Sequence, residues 1–201
     1  MLAPPLCWGC RGRARRGEPL CTGCRACLHR LSGEPVWLSG IRIWAPVGYS
    51  GPARELVRAL KFRGASRVAE SMAAQIAAGA PAGLLSGTTV VPVPLHPKRL
   101  RSRGFNQAAV LAAALGRRAG LPVVDRLVRS GPALAQVGRH HAERRAGPAG
   151  TIEPRGRAPA RVLLVDDVVT TGATLAACSA ALARAGAAEI RPVAFARTLG
   201  R

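Results

Sequence analysis

The sequence of 201 residues has few aromatic side chains, which make up only 3% of the chain. Its core must therefore be built mainly from Ala, Val and Leu, since 48% of all residues are hydrophobic. No run of about 18 apolar residues occurs, so we predict no membrane-spanning helix and no membrane insertion. The first residues, MLAPPLCWGC, have neither a basic start nor a long apolar segment. We therefore predict no secretory signal and a cytoplasmic location.

Acidic residues are also scarce: 10 Asp and Glu stand against 30 Lys and Arg, which gives a formal charge of +20 and a pI near 11.7. Such an excess favours a polyanionic partner, either nucleic acid, a phosphorylated metabolite or an acidic protein. Compositional bias is the alternative source, because almost all the cations are Arg and accompany abundant Ala, Gly and Pro. Individual arginines beside motifs are therefore better evidence than the total charge.

Five of the six cysteines lie within residues 7–27. Two C-x2-C pairs on tight turns direct four sulfurs to one point, which is the pattern of a structural zinc site. The predicted zinc ligands are Cys7, Cys10, Cys21 and Cys24. A segment of this size with little apolar periodicity needs such a metal site to fold.

Other interpretations of the cysteines are weaker. Disulfides are disfavoured in the predicted reducing compartment. A redox C-x-x-C is disfavoured because no helical pattern follows either pair. Gly9 and Gly23 are expected to permit the two tight turns. Cys27 is an alternative ligand, because it forms a further C-x2-C pair with Cys24.

From about residue 45 onward, strand patterns alternate with helical patterns, which predicts a parallel α/β sheet covered on both faces. We divide the chain into a cysteine module with its connector (1–44) and an α/β domain (45–201). Trp37 and Trp44 are expected to pack at the junction. Helices are expected over 52–61 and 66–78, and a cationic loop over 98–103, where an anion site and an exposed basic turn are equally good interpretations.

Residues 129–160 contain little apolar periodicity. Such a long segment inside a compact domain is usually a functional lid or a disordered insertion. In this segment, Gln136, Arg144 and Arg145 are placed to reach a ligand if the segment closes.

The stretch RVLLVDDVVTTGATL, residues 161–175, carries the most specific signal. A buried strand over 162–165 is expected to end at Asp166 and Asp167, where ligands bind at the carboxyl edge of a parallel sheet. The Thr-rich residues 170–174 then lie at a helix N-terminus, which suits a phosphate monoester. Because carboxylates repel phosphate, the acidic pair suits a sugar diol, so a phosphorylated ribose fits both halves. A Mg²⁺ site of a phosphotransferase and a simple helix cap are the lesser alternatives.

This stretch resembles the motif with which type I phosphoribosyltransferases bind 5-phosphoribosyl 1-diphosphate (PRPP). The segments VVPVPLHPKRLRSRGFNQA and LKFRG, together with the four cysteines, are similar to the ComF family, which includes ComFC and GntX-like proteins. The resemblance implies a type I phosphoribosyltransferase (Rossmann-like) sheet flanked by helices behind a small zinc-ribbon-like module.

The resemblance also implies roles for particular residues. Asp166 and Asp167 would hold the ribose hydroxyls of PRPP, and Mg²⁺ would enter with PRPP. The 5′-phosphate would be bound by Thr170, Thr171, Gly172, Ala173 and Thr174. The diphosphate region would contain Pro94, Leu95, His96, Arg99 and Arg103. The resemblance also implies lid roles for Arg129, Gln136 and Arg144. The lid departs from the family pattern, because Gly147 stands near the position of an expected Asn and the aromatic expected shortly afterwards is missing.

Three functions follow as hypotheses. The first is an active phosphoribosyltransferase that displaces diphosphate from PRPP. The second is a PRPP-binding accessory protein in DNA uptake or processing, where the resemblance implies single-stranded DNA or a helicase as a partner. The third is a zinc-dependent nucleic-acid binder. No general base stands out, and the sequence gives neither the acceptor nor the oligomeric state.

Overall fold

A computed structural model of the chain describes residues 5–63, 66–130 and 151–200. Its helices are α1 (Thr22–Ala26), α2 (Gly51–Arg63), α3 (Ser66–Gly79), α4 (Pro97–Arg103), α5 (Gln107–Ala119) and α6 (Ala173–Arg184). Its strands are β1 (Val36–Leu38), β2 (Ile41–Ile43), β3 (Val47–Gly48), β4 (Thr89–Pro92), β5 (Leu127–Arg129), β6 (Ile152–Pro154), β7 (Arg161–Val169) and β8 (Glu189–Arg197). Within these described ranges, no helix is both long and apolar enough to cross a membrane.

The central feature is a parallel four-stranded sheet in the order β3-β8-β7-β4. Side chains alternate along β7: Leu163 and Val165 pack with α2, α3 and α5, whereas Val162 and Leu164 pack with α6. This alternation follows from the two-residue period of a strand. The sheet is thus covered on both faces, which confirms the predicted α/β architecture.

Helix α5 is anchored at the carboxyl edge of β4. Asn106 caps the helix, because its side-chain oxygen accepts from the N–H of Ala108 at 3.0 Å. The Asn106 amide also donates to the carbonyl of Val93 at 2.9 Å. One side chain therefore starts the helix and ties it to the end of the strand, which places the first turn of α5 at the sheet edge.

Two antiparallel ribbons accompany the sheet. The β1–β2 hairpin turns through Ser39 and Gly40, both with positive φ. The second ribbon pairs β5 with β6, near the two ends of the predicted lid segment. The predicted lid residues Gln136, Arg144 and Arg145, and Gly147 with them, lie outside the described residues.

Two local predictions are wrong. Trp44 is buried as expected at the junction, but Trp37 is 70% exposed, because its position on β1 turns it away from the side on which Val36 and Leu38 are partly buried. The predicted cationic loop over 98–103 is helix α4, which has a His96 cap, Pro97 in its first turn and Gly104 at its end with φ of 80°. These start and stop signals outweigh the proline-rich approach to the helix.

Candidate functional site

A polar cleft of about 300 Å³ opens at the carboxyl edge of the sheet, between β4 and β7. Its described lining is Lys61, Val93, Pro94, Leu95, Arg99, Arg103, Asn106, Gln107, Arg129, Asp166, Asp167, Val168 and Thr174. A smaller pocket of about 40 Å³ adjoins it and shares Asp166, Val168 and Thr174 with it. The smaller pocket is formed largely by residues 170–174, which we call the phosphate loop.

The acidic pair lies inside strand β7 and not after its end. Strand β4 stops where Pro92 pairs with Val165, but β7 continues along β8 until Val169 pairs with Arg197. The predicted end of the strand at the aspartates is therefore wrong, because β8 supplies backbone partners after β4 has ended. The early end of β4 is what opens one side of β7 to the cleft.

Asp167 is nearly enclosed, with 3% of the residue exposed. The Lys61 ammonium lies 2.9 Å from its Oδ2, although that oxygen has no aligned hydrogen bond, so the contact is an ion pair. The Gln107 amide donates to Oδ1 over a long 3.5 Å. Arg103 in turn donates to the Gln107 oxygen at 2.5 Å. The carboxylate is thus linked to side chains from α2, α5 and α4.

Asp166 is partly accessible and borders both the cleft and the smaller pocket. One of its carboxylate oxygens accepts the backbone N–H of Asp167 at 2.8 Å. Burial, and next the negative charge of Asp167, raise the pKa of Asp166 well above its ordinary value. This carboxyl group is therefore held where its ionised form is disfavoured, which is common at functional sites.

The phosphate loop presents backbone N–H groups at the start of α6. Gly172 caps that helix with φ of 85° and offers no side-chain cap. The Thr171 hydroxyl accepts weakly from the N–H of Ala173 at 3.4 Å, while the Thr171 carbonyl accepts from the Ser39 hydroxyl at 2.8 Å. The loop is thus braced by the β1–β2 hairpin, and its free amides and helix dipole can attract an anion.

Only part of the predicted diphosphate region lines the cleft. Pro94, Leu95, Arg99 and Arg103 do so, but His96 is absent from the lining. Its Nδ1 instead accepts from the N–H of Lys98 at 3.2 Å and caps α4.

Arg129 lines the cleft from β5, and its Nε is a buried donor without a partner among the described residues. This guanidinium nitrogen is therefore suited to donate to an anion bound in the cleft.

Three polar lining residues were missing from the set of site residues predicted from sequence: Lys61, Asn106 and Gln107. Lys61 belongs to the segment LKFRG, in the last turn of α2, where a cation can serve either an anion or the helix dipole,. Asn106 and Gln107 belong to the GFNQA segment and carry ordinary capping signals. Their spacing alone does not show that they reach β7.

The four predicted metal ligands come together: the Sγ atoms of Cys7, Cys10, Cys21 and Cys24 all lie within 4.8 Å of one another. Thiolates around a tetrahedral Zn²⁺ with bonds of about 2.3 Å stand about 3.8 Å apart, and the Cys10–Cys21 sulfur distance is 3.8 Å. The donor set and spacing therefore fit a metal such as Zn²⁺.

The pKa values of two sulfurs in the cluster shift in opposite directions. Burial, and next the hydrogen bonds to Cys10, Cys7 and Cys21, raise the pKa of Cys24. Burial raises the pKa of Cys7, but N–H donors from Cys21, Cys10 and Gly9 outweigh it and lower that pKa to about 6. A Cβ at Gly9 would lie 2.8 Å from the Cys24 sulfur, so the first turn requires glycine, whereas nothing crowds Gly23. Hydrogen bonds to the sulfur and a tight glycine turn are both suited to metal binding.

Two predictions about the cysteines change. Cys27 is exposed and lies outside the four-sulfur cluster, so it is not a ligand in this arrangement. A short helix, α1, begins within the second pair, with Cys21 as its cap and Cys24 inside it, although no helical pattern predicted it. The helix starts because the Cys21 sulfur accepts from the N–H of Cys24 at 3.4 Å.

The chain is similar in sequence to a known protein family and to several known proteins. A family model described as a phosphoribosyl transferase domain matches residues 100–200. The chain is 29% identical to "DNA utilization protein YhgH" of Salmonella typhimurium over 99% of this chain and all of that protein. It is 29% identical to "Competence protein F" of Haemophilus influenzae, over 96% of this chain and 90% of that one.

Among solved structures, the chain is similar to an adenine phosphoribosyltransferase from Rhodothermus marinus. The identity is 17% and the TM-score 0.40, with 68% of this chain and 82% of that chain covered.

Proposed function

Because the chain belongs to the phosphoribosyl transferase domain family, with ComF-type proteins as its relatives, we propose that it binds PRPP with Mg²⁺. The observation that carries the proposal is the position of Asp166 between two pockets, one lined by four cationic side chains and the other by the start of α6. PRPP has a matching layout, since a ribose diol lies between a 5′-phosphate and a diphosphate.

The smaller pocket suits the 5′-phosphate. All of residues 170–174 line it, and the start of α6 adds its dipole. The ribose hydroxyls would then lie beside Asp166, which borders this pocket and whose carboxylate can accept hydrogen bonds from a diol. No Lys or Arg is among the described residues that line the smaller pocket, so backbone N–H groups and the helix dipole would bind the phosphate there,.

The larger cleft suits the diphosphate. Lys61, Arg99, Arg103 and Arg129 line it, so cations outnumber the two carboxylates. Mg²⁺ would enter on the diphosphate and neutralise part of its charge. Asp166 is the available carboxylate for that ion or for its water shell, because Asp167 is paired with Lys61 among the described residues.

The reaction that this arrangement supports is displacement at the anomeric carbon. The bond from that carbon to the diphosphate oxygen breaks, a bond to the acceptor forms, and the acceptor loses a proton. Arg99 and Arg103 would stabilise charge that develops on the leaving diphosphate. We also propose that the protein catalyses this displacement. A structural role for zinc in the cysteine cluster is a further part of the proposed function.

Calorimetric titration of the purified protein with PRPP and Mg²⁺ tests the proposal, with Arg99→Met and Arg101→Met as a matched pair. Both variants lose one cation from α4, but only Arg99 lines the cleft. We expect Arg99→Met to weaken PRPP binding about 10-fold, as for loss of one charge-assisted contact, and Arg101→Met to change it little. No binding heat with the wild-type protein would refute the proposal. If PRPP binds, diphosphate release with candidate acceptors then tests turnover.

We also propose a role in DNA uptake or processing, because relatives named "DNA utilization protein" and "Competence protein F" align over almost the whole chain. The formal charge of +20 supports a polyanionic partner such as single-stranded DNA,. Binding of single-stranded DNA should weaken steeply as salt rises, and zinc removal shows whether the cysteine module contributes. Salt-independent or undetectable binding would contradict direct DNA contact.

A further inference from the structure

Lys61 makes the most shielded ion pair among the described residues. Its ammonium lies 2.9 Å from Asp167 Oδ2, and the side chains are 29% and 4% exposed. A charge so enclosed is costly unless it is paired. Lys61 is therefore held toward strand β7 and is not a free cation at the mouth of the cleft.

The two aspartates contact different parts of the molecule. Asp167 faces α2 and α5, where Lys61 and Gln107 engage one oxygen each. Asp166 borders the phosphate loop and has no ion pair among the described residues. Consecutive residues of a strand point to opposite faces, so the pair cannot present both carboxylates in the same way.

Gln107 links Asp167 to α4. Its amide nitrogen donates to Asp167 Oδ1 at 3.5 Å, and its amide oxygen accepts from Arg103 at 2.5 Å. Because the two ends of the amide serve different partners, the side chain has one favoured orientation. Lys61, Asp167, Gln107 and Arg103 thus form a continuous polar connection across α2, β7, α5 and α4.

We infer that Lys61 and Gln107 are positioning residues of the PRPP site that act through Asp167 and hold Arg103 at the cleft, while Asp166 is the aspartate that contacts the ribose. This inference rests on the proposed PRPP binding. It assigns Lys61 a role distinct from direct phosphate binding, although Lys61 lines the same cleft.

A double-mutant cycle separates these two roles. If Lys61 acts through Asp167, Lys61→Met should weaken PRPP binding about 10-fold in the wild-type background but scarcely at all after Asp167→Asn. If Lys61 binds a phosphate directly, its loss should cost the same in both backgrounds. Binding is measured by titration with PRPP and Mg²⁺ well below the unfolding temperature, so that every variant is folded.

Thermal unfolding without ligand provides the second readout. Lys61→Met leaves the Asp167 charge enclosed and unpaired, so we expect Tm to fall by about 5 °C. The double variant Lys61→Met/Asp167→Asn contains neither charge, so it should recover most of the lost stability. Its PRPP affinity should stay low. A purely structural pair would instead recover stability and affinity together.

Arg58→Met is the matched control, because Arg58 is one turn earlier on α2, is 55% exposed and pairs with Glu55. It loses the same charge without touching the cleft, and we expect near-wild-type PRPP affinity and Tm. Equal affinities for Lys61→Met and Arg58→Met would overturn the inference, as would additive effects in the cycle. Wild-type protein that does not bind PRPP would instead refute the proposed function, and the unfolding measurements would still show whether the ion pair exists.

Discussion

Replacing Gly172 with Ala should strain the backbone and also push the β1–β2 hairpin away from the phosphate loop. Gly172 has φ of 85°, a conformation that side chains with a Cβ rarely adopt,. A Cβ at this position would lie 2.8 Å from the Cβ of Leu38 and 3.0 Å from Cδ1 of Ile43. The first of these atoms is fixed to the backbone, so the hairpin or the loop must move.

The cost has two parts. A left-handed conformation costs an ordinary residue about 1–2 kcal/mol, and overpacking of a well-packed site costs about 1–3 kcal/mol. Gly172→Ala should therefore lower the free energy of unfolding by about 2–5 kcal/mol. Movement of the loop should also stretch the hydrogen bond between Ser39 and the Thr171 carbonyl.

Gly186→Ala is the matched control, because Gly186 has φ of 96° beyond the other end of α6 and nothing lies within 4 Å of the position that a Cβ would take there. It should suffer the backbone cost alone, about 1–2 kcal/mol. Urea unfolding measures both variants, and titration with ribose 5-phosphate measures the loop, where we expect about 10-fold weaker binding for Gly172→Ala only. Equal losses of stability in the two variants would refute the claim that the hairpin braces the phosphate loop.

Two further predictions concern the cysteines and the acidic pair. Cys24→Ser should abolish stoichiometric zinc, whereas Cys27→Ser should keep about one zinc per chain; metal analysis checks this, and zinc retained by Cys24→Ser would contradict the four-sulfur site. Burial and the charge of Asp167 raise the pKa of Asp166 in the folded state. Protonated Asp166 therefore contributes fully to stability below the unfolded pKa of about 4, and this contribution is lost as pH rises through the folded pKa. Asp166→Asn should therefore gain stability relative to wild type as pH rises above about 4; denaturant unfolding at several pH values checks this, and a pH-independent difference would contradict it.

The local parts of the site could be predicted from sequence. Residues 162–165 form a buried strand, the phosphate loop follows β7 at the start of α6, and the two C-x2-C pairs converge. Each of these features depends on residues that are close together in the sequence: an apolar run, a capping signal or a ligand spacing. Short-range patterns were therefore sufficient to predict them.

The connections between distant segments could not be predicted in this way. Gln107 and Asp167 are 60 residues apart, and Ser39 and Thr171 are 132 apart. The length of β7 beyond the acidic pair depends on β8, which follows later in the chain. Only the folded sheet brings these partners together, so the sequence pattern showed two aspartates as equivalent although their contacts differ.

The domain boundary predicted after residue 44 stays a prediction. Cys7, Leu20 and Leu28 of the cysteine module share one buried cluster with residues of α2 and α3. On the other face of the sheet, the β1–β2 hairpin of the same N-terminal segment contacts the phosphate loop. A loop whose position depends on both sides of the boundary is not a property of the α/β domain alone. Replacing the cysteines that are positioned to hold a metal should therefore lower the stability of the phosphate loop as well as that of the cysteine module, because the core and the hairpin connect them.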